Sequence, residues 1–271
     1  MDESLDLGAL GFAFAVEAIK PEYGHIVAHQ VDWQISEGKG SRKVTAIQME
    51  PCETLGPHDI PLTTSFSDLR DMGEEASRQH LCPVAGAAMI AKGSYYDPEY
   101  SYISLSVLGC DASKLEAGTT CLDSAKLTAY AQSLKLFLPD SSVDFESETF
   151  QSVTWALDSS TVLSLDPTSH NRQEIFMSKS HVYIESKWHF TEITEDQMNF
   201  VEHKMGSTWS EPIPAGTALS ERTYASVQLK AGSKLHRYSV EPYKILDLLG
   251  DMGGFLEIIM TCGLLLTFFF V

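Results

Sequence analysis

The sequence predicts a mainly β fold. It reads as an antiparallel, α+β-class domain with one or two short helices, followed by a C-terminal transmembrane helix. Three observations lead there. Apolar and polar residues alternate in segment after segment, the period-two signature of half-buried strands. Polar stretches rich in Gly, Ser and Asp separate those segments, as turns do. The chain ends on Gly253–Val271, a run of apolar residues broken only by Glu257 and a few small or weakly polar ones.

Taken in order, Phe12, Phe14 and Val16 alternate as a strand does. Val27, Val31, Trp33 and Ile35 share one parity, and Val44–Met49 follows the polar stretch Ser36–Ser41, so the pair reads as a hairpin. Residues 50–82 hold more Pro, Gly and charge, and read as a loop with a short helix near Asp68–Gln79. Ile103, Leu105 and Val107 line one face of a strand over Tyr100–Leu108. Asp123 is placed to cap a helix over Ser124–Leu134, where Leu127, Tyr130, Ala131 and Leu134 make a helical stripe. Val153, Trp155 and Leu157 alternate, as do Val182 and Ile184, with Trp188 and Phe190 in the same parity. A polar turn region over Glu195–Thr208 separates these from Ala225, Val227 and Leu229.

The expected organisation is a β-rich domain over residues 1–240, an amphipathic approach over 241–252 and a membrane helix over 253–271. At about 1.5 Å per residue the last run rises about 28 Å, against a hydrocarbon core of roughly 30 Å. It thus stops within the bilayer or barely through it. Met1 is followed by Asp2, Glu3 and Asp6, not by the basic start of an export signal. A first membrane helix upstream of this sequence is the corresponding expectation.

Charge narrows the function classes. With 37 acidic and 19 basic residues the net charge is −18, which argues against nucleic acid as a partner and offers no polybasic patch for anionic lipid. Of the five cysteines, Cys262 lies in the terminal run. Cys52, Cys82, Cys110 and Cys121 form an even set, which suits two disulfides in an oxidising compartment. Three connectivities are open; the short, polar, turn-rich loops favour Cys52–Cys82 and Cys110–Cys121. No CxxC pair is present to suggest a zinc or redox motif.

Motifs of catalysis are missing. There is no GxSxG, HExxH, P-loop or GxGxxG, and the nine histidines are scattered, with His25 and His29 on one predicted strand. No enzyme, cofactor or metal is expected. Asp247, Asp251 and Glu257 recur where the chain would enter the bilayer, beside Gly253 and Gly254, which permit a hinge or close packing. In an oligomer such carboxylates form rings that attract cations.

Several patches resemble a large group of protist, ciliate-type membrane proteins with two transmembrane helices flanking a cysteine-bearing ectodomain. They are Leu10–Phe14, Pro21–Gly24, Leu81–Pro83, Gly93–Asp97, Tyr100–Val107 leading to Cys110 and Cys121, and Tyr243–Gly254. Leu248–Gly254 is also similar to the segment before the second helix of degenerin/epithelial sodium channels, although Thr261-Cys262-Gly263 replaces their G-x-S signature. The first resemblance implies no catalytic residue. Together these readings predict a non-catalytic integral membrane protein, with its main domain extracellular or luminal and the lipid bilayer as partner. A receptor or surface interaction protein is favoured. The alternative is a subunit of a homo-oligomeric cation channel.

Overall fold

The computed structural model describes residues 4–8, 12, 14–36, 39–52, 80–84, 86–123, 126, 132–146, 151–184, 187–188, 191–192, 196–240, 250, 253–254, 257 and 260. Two sheets organise them. The larger has seven strands. Its central strands are β3 (Gly24–Ser36), β8 (Glu99–Gly109) and β15 (Thr223–Ala231), and its edge strands are β4 (Lys39–Ile47) and β14 (Asp196–Pro212). β11 (Ser169–Ile184) completes the order β14-β11-β15-β8-β3-β4, and β16 (His236–Val240) also pairs with β11. β15 and β16 run parallel to β11, one after the other along the same side, while the other pairings in this sheet are antiparallel.

The second sheet has five strands in the order β10-β9-β2-β6-β5. These are β2 (Ala15–Glu17), β5 (Met49–Pro51), β6 (His80–Pro83), β9 (Gln132–Glu146) and β10 (Gln151–Leu165). Short pairs are made by β1 (Leu5–Asp6) with β7 (Ile90–Ala91), and by β12 (Lys187–Trp188) with β13 (Thr191–Glu192). Short 3₁₀ turns occupy Ala112–Lys114 and Leu219–Glu221.

The two sheets bury one shared core. Ile103, Leu105 and Val107 of β8 stand in register with Leu229, Val227 and Ala225 of β15, and all six are buried. Leu134, Leu136 and Leu138 of β9, Leu163 and Leu165 of β10, and Phe14 and Val16 at β2 supply the opposite wall. Period-two burial thus fixes which face each strand turns inward.

The mainly β architecture stands, but several sequence expectations are corrected. The stretch read as a polar turn, Glu195–Thr208, lies almost wholly within β14. Leu134 belongs to β9 and not to a helix, because Leu134, Leu136 and Leu138 alternate inward. Asp123 does accept a hydrogen bond from the Lys126 backbone N–H (2.8 Å), but most of 124–131 lies outside the described residues. So does the helix expected over Asp68–Gln79. The hairpin turn is tighter than Ser36–Ser41: β3 runs to Ser36 and β4 resumes at Lys39.

The transmembrane expectation is also corrected. A crossing helix needs about 20 consecutive apolar residues. Among the described residues no helix is long and apolar enough to cross a membrane. At this end Gly250, Gly253, Gly254, Glu257 and Met260 are described, as exposed helical positions, and the remainder of 241–271 lies outside the described residues. Hydropathy reports only that a run is apolar; a span also requires a continuous helix of sufficient length. The reading as an integral membrane protein falls with it, together with the bilayer partner, the membrane location with an extracellular or luminal domain, and the channel alternative.

Candidate recognition surface

The four cysteines of the even set close two bridges. Cys52–Cys82 ties the end of β5 to β6, with Cα atoms 5.1 Å apart. Cys110–Cys121 closes the loop after β8, with Cα atoms 5.7 Å apart. Asp247 and Asp251 lie outside the described residues, so the acidic ring has no geometry here. Glu257, Gly253 and Gly254 occupy exposed helical positions.

Most polar groups in these clusters have local partners, His203 Nδ1 being buried without one among the described residues. His170 Nε2 lies 2.8 Å from Ser226 Oγ, which resembles a base beside a nucleophile. However, Arg172 Nε donates to His170 Nδ1 at 3.2 Å, and that bond requires Nδ1 to be the bare nitrogen. The proton therefore sits on Nε2 and points at Ser226, the reverse of what a general base needs. Burial, then Arg172, lowers the His170 pKa, against an opposing pull from Glu211. His203 Nε2 meets Asp158 at 3.2 Å, and Asp158 also accepts from Ser160. Glu202 accepts from Tyr238 (2.7 Å) and faces His236 (3.0 Å); that bond, then burial, pushes the Tyr238 phenol up to about 12. His25 sits 3.1 Å from the Lys114 ammonium, and burial, then Lys114, lowers its pKa. No group of three or more His, Cys, Asp or Glu side chains able to hold a metal occurs among the described residues.

A different region concentrates features suited to binding. Toward its turn the β3–β4 hairpin leaves the buried core as an exposed ribbon, with β8 still paired to β3 as far as Gln34. Trp33–Ser36 of β3 and all of β4 before Ile47 are exposed. Trp33 lies opposite Arg42, Val31 opposite Val44, and Ile35 opposite Gly40. The Trp33 ring lies over Gly40, 3.8 Å from where a Cβ there would stand, and the Arg42 guanidinium sits 5.8 Å from the ring centroid. On the same face Tyr100 pairs with Trp33 and Tyr102 with Val31, and the two tyrosine rings are 5.2 Å apart. Burial, then Tyr102 and Glu174, pushes the Tyr100 phenol up. Lys230 reaches over Tyr102 at 6.0 Å while paired with Glu174.

A rigid turn extends this face. Ile35 N–H donates to Pro98 O (2.7 Å), joining the ribbon to the loop that carries Tyr95 and Tyr96. Asp97 holds that loop by accepting from Ser94 N–H (2.6 Å), and its own N–H donates to Ser94 O (2.9 Å). Gly93 has φ +63°, and a Cβ there would fall 2.3 Å from Glu99 O, so only glycine fits the turn. Lys92 pairs with Glu99 at the loop base and holds that carboxyl below its ordinary value. Tyr95 and Tyr96 meet edge to face and are 75% and 91% exposed. A cleft of about 340 Å³ continues behind the loop, lined by Ser94, Asp97, Lys179 and Lys234 among others.

Sequence reasoning did not identify this surface. Trp33 and Ile35 were legible only as strand positions, and Gly93–Asp97 only as a patch of resemblance. The available signal was two adjacent tyrosines in a turn flanked by Gly93 and Pro98, where no core-facing period explains them.

Comparison with known proteins corrects the family expectation as well. No curated protein and no solved structure matches the chain. Neither the two-helix protist group nor the sodium-channel likeness is supported. A family profile instead spans residues 9–229, from between β1 and β2 to within β15. The chain therefore belongs to the family described as "Uncharacterised 80 kDa protein N-terminal domain".

Proposed function

We propose that this domain is a non-catalytic protein-recognition module, binding through the β3–β4 ribbon and the 93–98 loop. One observation carries the reading. Trp33, Ile35, Val44, Tyr95 and Tyr96 are five of the eight large apolar side chains exposed among the described residues, and they belong to two joined segments. Trp, Tyr and Arg are the residues that most often dominate interface energetics, because they bury large areas while losing little side-chain freedom. Here they stand on paired strands and a hydrogen-bonded turn, so little order is lost on binding. The tautomer of His170 gives independent support, since the Ser226–His170 pair, the Ser–His contact found among the described residues, holds its proton on the wrong nitrogen for catalysis.

Panning a displayed random-peptide library against the purified domain tests this. Enriched peptides should lose binding to Trp33→Ala and Tyr96→Ala and keep it for Val162→Ala, another exposed apolar position, on β10. Enrichment that ignores Trp33 and Tyr96, or no enrichment at all, would overturn the reading.

A further inference from the structure

We propose that the free edge of β4 takes an extended acidic segment of a partner protein as an added β-strand. The inference rests on the recognition reading above and specifies its partner.

Backbone supplies the first part of the argument. β4 ends the order of its sheet, and among the described residues it pairs only with β3. Lys39–Ala46 are exposed on both faces, so the strand is neither packed from below nor capped from above. In a paired strand every second residue turns its N–H and C=O away from its neighbour. Eight residues therefore present about four sets of unpaired groups, enough to register an incoming strand.

Charge selects the partner. Lys39, Arg42 and Lys43 stand on β4, and no acidic residue occurs from Lys39 to Met49, in a chain of net charge −18. Nearby acids are already engaged or outnumbered: Asp32, across from Lys43, accepts from Gln30, and Glu99 is held by Lys92. Counting Glu37, which lies between β3 and β4 in the sequence, the cations remain in excess. No ion pair engages the three cations among the described residues. A second copy is a poor occupant, because pairing β4 with itself sets cation against cation and brings two strongly acidic bodies together.

Register gives the partner's pattern. Lys39 and Lys43 share one face with Ser41 and Thr45, and Arg42 shares the other with Gly40, Val44 and Trp33. The matching segment has acidic residues on both faces and an apolar residue beside Gly40 and Val44. Lysines on an edge strand also serve to repel unwanted pairing. That role alone leaves Trp33, Ile35 and Val44 on the ribbon unexplained, whereas strand addition uses them.

The test uses a synthetic decapeptide with Glu at the positions beside Lys39, Arg42 and Lys43 and Val beside Gly40 and Val44, a counterpart with Lys in place of Glu, and two forms of the acidic peptide N-methylated at alternate amides, with binding read by fluorescence anisotropy. The acidic peptide should bind and the basic one should not. Methylating one set of amides should abolish binding and methylating the other should spare it, since only one edge faces β4. The exposed double variant Arg42→Glu, Lys43→Glu should weaken binding at least about tenfold, and Lys43→Gln less. Equal loss with both methylated forms, or none with either, would overturn strand addition. Failure of the acidic peptide while panned peptides still depend on Trp33 and Tyr96 would sink this inference and leave the recognition module standing.

Discussion

β4 and β14 are the two edges of one sheet, and they are finished in opposite ways. β14 buries both faces at its middle. Val201 enters the shared core, and Phe200, on the other face, is fully buried and stacks 6.1 Å from Tyr238 of β16. Its companion β10 belongs to the other sheet and reaches it through Asp158–His203 and through Thr161 with Met205. A bulge in the pairing with β11 and Gly206, whose Cβ would fall 2.6 Å from the Phe176 ring, further shape this edge. β4 has none of this before Ile47. Pairing position alone therefore does not make an edge structural or available; what lies on its two faces does.

The largest test of that contrast is truncation on each edge. Phe200→Ala should destabilise the domain by about 3–5 kcal/mol, through lost burial and the cavity left against Tyr238. Val44→Ala, also on an edge strand but 47% exposed, should change stability by no more than about 0.5 kcal/mol. Denaturant melts of the two variants give both values. Similar losses would mean that β4 is as integral to the fold as β14.

The same contrast explains what the sequence revealed. β8, β15 and the β3–β4 hairpin were legible because Ile103, Leu105, Val107, Ala225, Val227 and Leu229 alternate without interruption. β14 was misread as a turn because Glu202, His203, Lys204 and Gly206 interrupt its pattern, although pairing with β11 along its length holds it extended. Leu134 fits both a helical stripe and a strand alternation, and only the facing sheet decides between them. The short polar loops led to the two disulfide pairs. The apolar C-terminal run led to the transmembrane expectation, whereas among the described residues no helix is long and apolar enough to cross a membrane. The ribbon's exposure was hidden for a related reason: Trp33 and Ile35 continue the parity of Val31, but Val31 is covered by Tyr100 and Tyr102, whereas Trp33 and Ile35 remain exposed.

A smaller effect concerns the clasp between β10 and β14. Burial alone would raise the Asp158 carboxyl, but its hydrogen bonds from Ser160 and its contact with His203 outweigh burial and hold it below its ordinary value. A lowered folded pKa contributes stability that is full above the unfolded value, about 3.9, and is lost as pH falls through the folded value. Asp158→Asn should therefore melt lower than wild type above about pH 4, and the difference should shrink as pH falls further. Melting temperatures across that range decide it. A gap that persists at the acid end would show that ionisation of Asp158 contributes nothing to the clasp.

The smallest effect lies on the open edge, between Arg42 and Trp33. The guanidinium is 5.8 Å from the indole centroid, close enough for a cation–π attraction, but Trp33 is 37% exposed and water competes for the cation. At such sites the attraction amounts to roughly 0.5–1 kcal/mol. Trp33→Ala also removes the ring's cover of Gly40 and its place beside Tyr100, so that single loss does not isolate the pair. A double-mutant cycle does, and its coupling energy should come to about 0.5 kcal/mol. Arg42→Lys in the same cycle should retain part of it, since an ammonium is attracted to the ring but lacks a flat face to stack on it. A coupling indistinguishable from zero would mean that Arg42 leaves Trp33 free, with the indole available to a partner at no cost in lost internal contact. A coupling near that of a buried pair would instead mean that the ribbon's aromatic is committed to its own strand, which would bring β4 closer in kind to β14.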